Sequence, residues 1–232
     1  MAEGTPPGDL PTGRQGGLEP YSAAWAATND GILRGLNHAL SNRIVTLRTL
    51  AEFVAAAQER GEQLGRALSE EVERLEELLE KFRMLPADDA LKPEPIQLSE
   101  LLGEVVALHQ YHVDFRNVQC TVIGDPDTLP VLTSRPAFTR TLLILLTAAK
   151  RAALSRGETT VALHYGGDPS TVTITVEAGA LDEGSTTATE VSQPFELRAE
   201  CDRVGALRYR LRVVTLIEGR RRTREKEPRS NI

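Results

Sequence analysis

Residues 36–43 read Leu36-Asn37-His38-Ala39-Leu40-Ser41-Asn42-Arg43, and the architecture of this chain can be inferred from this segment outward. It belongs to a longer pattern of apolar side chains in steps of three and four, at Leu33, Leu36, Leu40, Ile44, Leu47, Leu50 or Ala51, and Val54. That spacing is typical of an amphipathic helix with one buried stripe. At about 100° per residue, His38 lies some 200° from Leu36 around the helix axis and is predicted to face outward. Arg34 and Asn42 lie one turn before and after it on the same face.

A second helix is predicted to fold back on the first. The first helical pattern runs from about Tyr21 to Gln58, and Gly61 with its polar neighbours interrupts it. A second apolar stripe follows at Leu64, Leu68, Val72, Leu75, Leu79 and Phe82. Two amphipathic helices joined by a short polar turn form an antiparallel hairpin. Because a lone hairpin cannot cover both stripes, we expect a homodimer with a four-helix bundle.

The second half of the chain predicts an α+β domain. Pro86, Pro93 and Pro95 indicate a linker, with a boundary near residues 88–94. The first predicted element is a helix from about Leu98 to Val113 with Ser99 as its N-cap, followed by a strand at 118–123 and an extended piece at 129–132. Ser134 and Pro136 then open an apolar helix that ends near 155–157. A hairpin of strands 160–165 and 171–177 and a helix of about 204–218 complete the domain. Residues 178–193 are predicted to form a loop. Helices layered on a mixed or antiparallel sheet follow from this order.

Four parts are therefore expected along the chain. They are a disordered leader at 1–20, a dimerisation hairpin at 21–87, an α+β domain at 95–219 and a polar, Arg-rich tail at 220–232. The leader is assigned because Gly and Pro are frequent there and large apolar groups are few.

Composition narrows the function classes. The 232 residues carry a net charge of -6, which argues against a general nucleic-acid binder. Cys120 and Cys201 form no metal-binding or disulfide pattern. The apolar run near Leu142 is too short to span a bilayer, and no signal peptide is evident. We expect a soluble, cytoplasmic protein that binds neither nucleic acid nor membrane.

The order of parts resembles a bacterial sensor histidine kinase over about residues 24–219. His38-Ala39-Leu40-Ser41-Asn42 is similar to the phosphoacceptor box of that family. Residues 96–102 look like the entry into its ATPase domain. Leu129-Pro130-Val131-Leu132, followed by residues 138–152, looks like the strand and helix of its asparagine box. The resemblance implies a helical hairpin that dimerises, followed by a histidine-kinase-type ATPase α/β sandwich.

The departures from the family pattern concern nucleotide binding. The asparagine box runs roughly Leu-Leu-Asn-Leu-Leu-x-Asn-Ala, and this chain has Leu142-Leu143-Ile144-Leu145-Leu146-Thr147-Ala148-Ala149. The adenine-gripping Asp-x-Gly-x-Gly loop is replaced by residues 178–182, with Asp182-Glu183-Gly184 as a displaced substitute. The second glycine box keeps one glycine, in Val204-Gly205-Ala206-Leu207. Ala39 replaces the acid beside the histidine and cannot act as a general base.

The resemblance therefore implies a pseudokinase-like histidine phosphotransferase of a two-component phosphorelay. His38 would carry a phosphoryl group between aspartates of response-regulator receiver domains, without bound ATP. In this signal-transduction role Arg34 and Arg43 would steady the phosphate charge, and Asn42 would hydrogen-bond an oxygen. The chain itself would bind no cofactor, and Mg²⁺ would come with the receiver.

Two alternatives stay open. One is a non-catalytic dimeric scaffold or adaptor derived from a histidine kinase. The other is a divergent ATP-dependent histidine kinase, which we rank below a phosphotransfer protein. His109, His112 and His164 are interpreted as structural, and no metal site is expected, since no third ligand accompanies the His109–His112 pair.

Overall fold

The structure is a computed structural model that describes residues 21–56, 61–86, 92–125, 127–179, 186–192, 195–201 and 207–226. The predicted leader at 1–20 and the last part of the tail, 227–232, lie outside the described residues. No helix in the described ranges is both long enough and apolar enough to cross a membrane.

A helical hairpin opens the described chain, as predicted. Helix α1 spans Tyr21–Ala56 and helix α2 spans Gly61–Arg83. The two helices contact each other, and the predicted α1 stripe includes the buried Leu36. In α2 the stripe is shifted from the prediction, because Leu78 is buried whereas Val72 and Leu79 of the predicted stripe are 41% and 42% exposed. Since Arg43 of α1 contacts Glu71 of α2, the helices run antiparallel.

The remaining elements form an α/β sandwich. In chain order they are β1 (Glu94–Ile96), α3 (Leu98–His109), β2 (Gln119–Gly124), β3 (Val131–Thr133), α4 (Arg135–Ser155), β4 (Thr160–Gly167), β5 (Thr171–Ala178), β6 (Thr186–Ser192), β7 (Phe195–Cys201), β8 (Leu207–Val214) and α5 (Leu216–Lys226). Strands β1 and β3 form a small antiparallel pair. The main sheet has the order β2-β4-β5-β8-β7-β6. Only its β2–β4 pair is parallel, because α4 makes the crossover between these two strands.

The core of this domain lies between the sheet and helices α3 and α4. Strand side chains alternate, so that one face of the sheet is buried and the other is partly exposed. The buried side chains of the strands are Val161, Leu163, Val172, Ile174, Val176, Tyr209, Leu211 and Val213. They meet the apolar side of α4, including Leu142, Leu143, Leu145 and Leu146. The predicted α+β layering is thereby confirmed.

Two sequence predictions in the C-terminal part are wrong. The predicted loop at 178–193 contains β6, and the predicted helix at 204–218 is instead β8 followed by α5. Tyr209, Leu211 and Val213 alternate with arginines, and this period of two buries every second side chain against α4. The Arg-rich segment predicted as a tail begins within α5.

Helix α3 also differs from its prediction at both ends. Its N-cap is Gln97 rather than Ser99, and no side chain caps it. It ends at His109 rather than near Val113, and the chain continues in tight turns. The amide N–H of Val113 donates to the carbonyl oxygen of Gly31 in α1, at 3.2 Å. Val113, predicted to lie in α3, therefore contacts the hairpin from the turn that follows the helix. Glu94 and Pro95, expected in the linker, belong to β1.

Candidate functional site

His38 lies in the middle of α1 and its side chain is exposed. This agrees with the outward orientation that the apolar stripe predicts. Arg34 and Asn42, one turn on either side, are exposed as well. The structure thus brings three of the four predicted site residues onto one accessible helix face.

Both exposed neighbours of His38 are available to a ligand at small cost. The guanidinium of Arg34 lies 3.0 Å from a carboxylate oxygen of Asp30, with both side chains more than half exposed. Such a solvated pair is worth only about 0–1 kcal/mol, so the arginine can turn to another anion. Asn42 is exposed, and its main-chain carbonyl accepts a hydrogen bond from the hydroxyl of Thr46.

Arg43 is placed differently from the other predicted site residues. Five residues after His38, it lies about 140° further around the helix. Its Nη1 donates to both carboxylate oxygens of Glu71 at 3.2 Å, and Glu71 is buried. Arg43 therefore joins α1 to α2 beneath the His38 face.

The half of α1 before His38 lies against the turn that follows α3. A Cβ built on Gly31 would be 2.2 Å from Nε2 of His112, and one built on Gly35 would be 1.6 Å from the carbonyl oxygen of Tyr111. Only glycine permits this approach. This contact is not among the features predicted above from the sequence. Its signal was a glycine pair spaced by four inside a helix, where each glycine costs about 1 kcal/mol unless packing requires it.

The start of α1 also contacts α4. The hydroxyl of Tyr21 lies 3.2 Å from Oγ1 of Thr141, and the guanidinium of Arg140 lies 5.2 Å from the ring centre of Trp25. By helical spacing, Thr141 shares its face of α4 with Ile144 and Ala148. In the resemblance to histidine kinases described above, the two asparagines of the asparagine box fall at positions 144 and 148. Their apolar replacements therefore lie on the helix face that α1 contacts.

A group of buried polar side chains lies behind this contact. Nε2 of His109 is 2.9 Å from Oγ1 of Thr147, and the His112 ring stacks 5.3 Å from the His109 ring. Burial, and then the positive charge of Lys150, holds the pKa of His109 well below its usual value. Burial lowers the pKa of His112 and of Lys150 as well. Their burial supports the structural interpretation of both histidines.

No group of three or more potential metal ligands occurs among the described residues. The displaced Asp182-Glu183-Gly184 and most of the glycine box at 204–207 lie outside the described part of the chain. Gly179, just after β5, has a φ of +75° and lies against the guanidinium of Arg156. A side chain at this position would be strained and would also meet that guanidinium.

Comparisons with known proteins give structural likeness only. No protein-family model matches the sequence, and no curated protein matches it. Similar solved structures include histidine kinase AdeS of Acinetobacter baumannii, at 15% identity and a TM-score of 0.40, covering 77% of this chain and 98% of that one. A histidine kinase of Burkholderia phymatum is 18% identical with a TM-score of 0.42, covering 85% and 99%.

A third similar structure is histidine kinase ThkA in complex with response regulator protein TrrA. It is 14% identical with a TM-score of 0.41, and the match covers 85% of this chain and 65% of that one. These likenesses do not bear on activity, which has to be argued from the side chains of this chain.

Proposed function

We propose that this chain is a histidine phosphotransferase, which relays a phosphoryl group between receiver-domain aspartates through His38 and does not charge the histidine from ATP. The observation that carries the proposal is the placement of His38. His38 is exposed in the middle of a long helix, with an arginine and an amide on its face. The α4 positions at which the resemblance to histidine kinases places two asparagines carry Ile144 and Ala148 instead, so the amide that would bridge a nucleotide's metal ion is absent there.

The transfer step needs little from this chain beyond the imidazole. A ring nitrogen of the His38 imidazole donates its lone pair to the phosphorus of an aspartyl phosphate. The N–P bond forms as the P–O bond to the carboxylate breaks, and the carboxylate leaves with the electron pair. An aspartate of a second receiver attacks the phosphohistidine in the reverse sense. The other ring nitrogen keeps its proton as the N–P bond forms, so the phosphohistidine forms as an imidazolium and the step needs no general base at position 39. Ala39 in place of an acid is therefore compatible with this chemistry.

Arg34 and Asn42 have supporting roles in this proposal. The guanidinium of Arg34 can exchange its solvated contact with Asp30 for the transferring phosphoryl group. The amide of Asn42, one turn after His38, can donate to a phosphoryl oxygen. The transition state is loose, so such positioning and charge compensation supply most of the catalysis. Mg²⁺ in the receiver supplies the remaining positive charge.

A second copy of the chain is part of the proposal. Ile44, Val72 and Leu79 belong to the predicted apolar stripes, yet they are 54%, 41% and 42% exposed in the single chain. Pairing two hairpins into a four-helix bundle would cover these side chains.

A transfer assay tests the function. A receiver domain radiolabelled on its aspartate is mixed with the wild-type chain, with His38→Gln, or with His164→Gln as a matched control on β4. We expect label on the wild type and on His164→Gln, and none on His38→Gln. Equal loss of receiver label with wild type and His38→Gln would favour the scaffold alternative. Labelling of His38 from γ-labelled ATP alone would favour the divergent kinase.

A further inference from the structure

Helix α1 contacts the turn Tyr111–Val113 through the same helix face that carries His38. Gly31, Gly35, His38 and Asn42 fall within about 60° of one another around the helix axis, given 3.6 residues per turn. Gly31 and Gly35 contact the turn at 111–113 of the sheet domain. His38 and Asn42 lie further along the same helix face and are exposed to solvent. At about 1.5 Å per residue, His38 lies roughly 10 Å along the axis beyond Gly31.

Two independent steric limits hold α1 at this contact. Gly31 faces the ring of His112, whereas Gly35 faces the main-chain oxygen of Tyr111. The ring of His112 cannot withdraw easily, because it is 3% exposed and packs 4.6 Å from the ring of Phe115. The hydrogen bond from Val113 to Gly31 fixes the register along the helix.

We infer that Gly31, Gly35 and His112 are positioning residues for phosphoryl transfer, which lock the hairpin onto the sheet domain and fix His38 relative to it. This inference rests on the proposed function. A partner that reaches His38 then meets one preformed surface, made by α1 and the turn at 110–114. Such a surface lowers the ordering cost of binding and keeps the imidazole in line with the phosphorus.

The test combines two clashes with one matched control. Gly31→Ala and Gly35→Ala introduce the clashes, and Gly65→Ala is the control, because a Cβ on this helical glycine of α2 meets nothing within 4 Å. We expect Gly31→Ala and Gly35→Ala to slow transfer at saturating receiver by about tenfold or more, since a misplacement near 1 Å can cost up to about 100-fold. Gly65→Ala should transfer at the wild-type rate.

A rescue experiment separates positioning from loss of folding. In a His112→Ala background the ring that meets Gly31→Ala is absent, so adding Gly31→Ala should slow transfer no further. Gly35→Ala should still slow transfer in that background, because its clash is with the main chain. If Gly35→Ala does not fold, the Gly31→Ala comparison alone decides.

Hydrogen exchange gives a readout that does not depend on transfer. The Val113 amide should exchange faster in Gly31→Ala and Gly35→Ala than in the wild type, because both clashes lie beside its hydrogen bond to Gly31. Unchanged exchange in both variants would contradict the inference that these glycines hold the turn against α1. If the wild type and Gly35→Ala transfer label at equal rates although exchange is faster, the positioning inference is overturned and the proposed function stands. If the wild type transfers no label, the proposed function fails, and the positioning inference fails with it.

Discussion

Glu71 of α2 is 2% exposed, and the guanidinium of Arg43 in α1 donates to both of its carboxylate oxygens at 3.2 Å. Arg74 adds a hydrogen bond of 3.3 Å from within α2. A carboxylate buried to this extent depends on its cationic partners, because water no longer compensates its charge. The Arg43–Glu71 contact is therefore a structural link of the hairpin below the His38 face.

Removing Arg43 should destabilise the hairpin. Because its side chain is 41% exposed, water screens part of the interaction. We therefore expect Arg43→Met to lower the free energy of unfolding by about 1–2 kcal/mol, less than for a fully buried pair. The control is Arg48→Met, whose pair with Glu52 is 81% and 66% exposed and should matter by less than about 0.5 kcal/mol. Urea denaturation measures both, and equal losses would contradict the assigned link.

The buried histidines predict a pH dependence of stability. Burial lowers the pKa of His109 and of His112 below the usual histidine value of 6.5. Below pH 6.5 the unfolded chain takes up protons that the folded chain does not, until the pH reaches the lowered pKa values. The free energy of unfolding should thus fall as the pH decreases from 6.5, by up to about 1.4 kcal/mol per pH unit for each histidine.

A substitution isolates this effect from other titrating groups. His109→Gln keeps a polar side chain near Thr147 and removes one titrating ring. Urea denaturation at pH 7.5 and at pH 5.5 should show a smaller loss of stability for His109→Gln than for the wild type. An equal loss in both proteins would mean that His109 does not contribute to the pH dependence.

Cys120 provides a chemical test of burial at the sheet edge. Burial raises the pKa of its thiol to about 11 from 9.0, although the charge of Lys150 partly opposes this. Only the thiolate is alkylated, so at pH 8 the folded protein should react about 100-fold more slowly than the protein in urea. The measurement uses a Cys201→Ser background. In that background Lys150→Met should slow alkylation of the folded protein further, and a folded-to-unfolded rate ratio near one would contradict the assigned burial.

Local periodicity was enough to predict the hairpin, α4 and the β4–β5 pair. The stripes of α1 and α2 repeat over many residues, and the alternation of β4 and β5 is bounded by Gly and Pro. Strand β8 was mistaken for a helix although its arginines alternate with apolar residues. The apolar residues at 204–218 also fit one stripe of an amphipathic helix, and this pattern is longer than the eight-residue strand β8.

The interdomain contact could not be predicted from the sequence in the same way. From the sequence, His112 is interpreted as a structural residue paired with His109, whereas its contact Gly31 lies about 80 positions earlier in the chain. No local period connects two such positions, and only tertiary packing decides that they meet. The same holds for Arg43, because its buried partner Glu71 lies 28 positions later, on the other helix of the hairpin.

The exposed apolar residues of the hairpin lead to a last prediction, on the homodimer. Ile44 and Val45 are adjacent, both β-branched and both more than half exposed in the single chain. Only Ile44 belongs to the apolar stripe, and Val45 lies about 100° away from it. A second hairpin that packs on the stripe would bury Ile44 and leave Val45 in solvent.

We therefore expect Ile44→Glu to convert the dimer to a monomer, and Val45→Glu to leave it a dimer. A glutamate at position 44 would place an unpaired charge in the bundle core, which costs several kcal/mol. Light scattering coupled to size-exclusion chromatography measures both masses across a dilution series. If the wild type is itself a monomer, or if both variants remain dimers, the four-helix bundle is not built on this stripe.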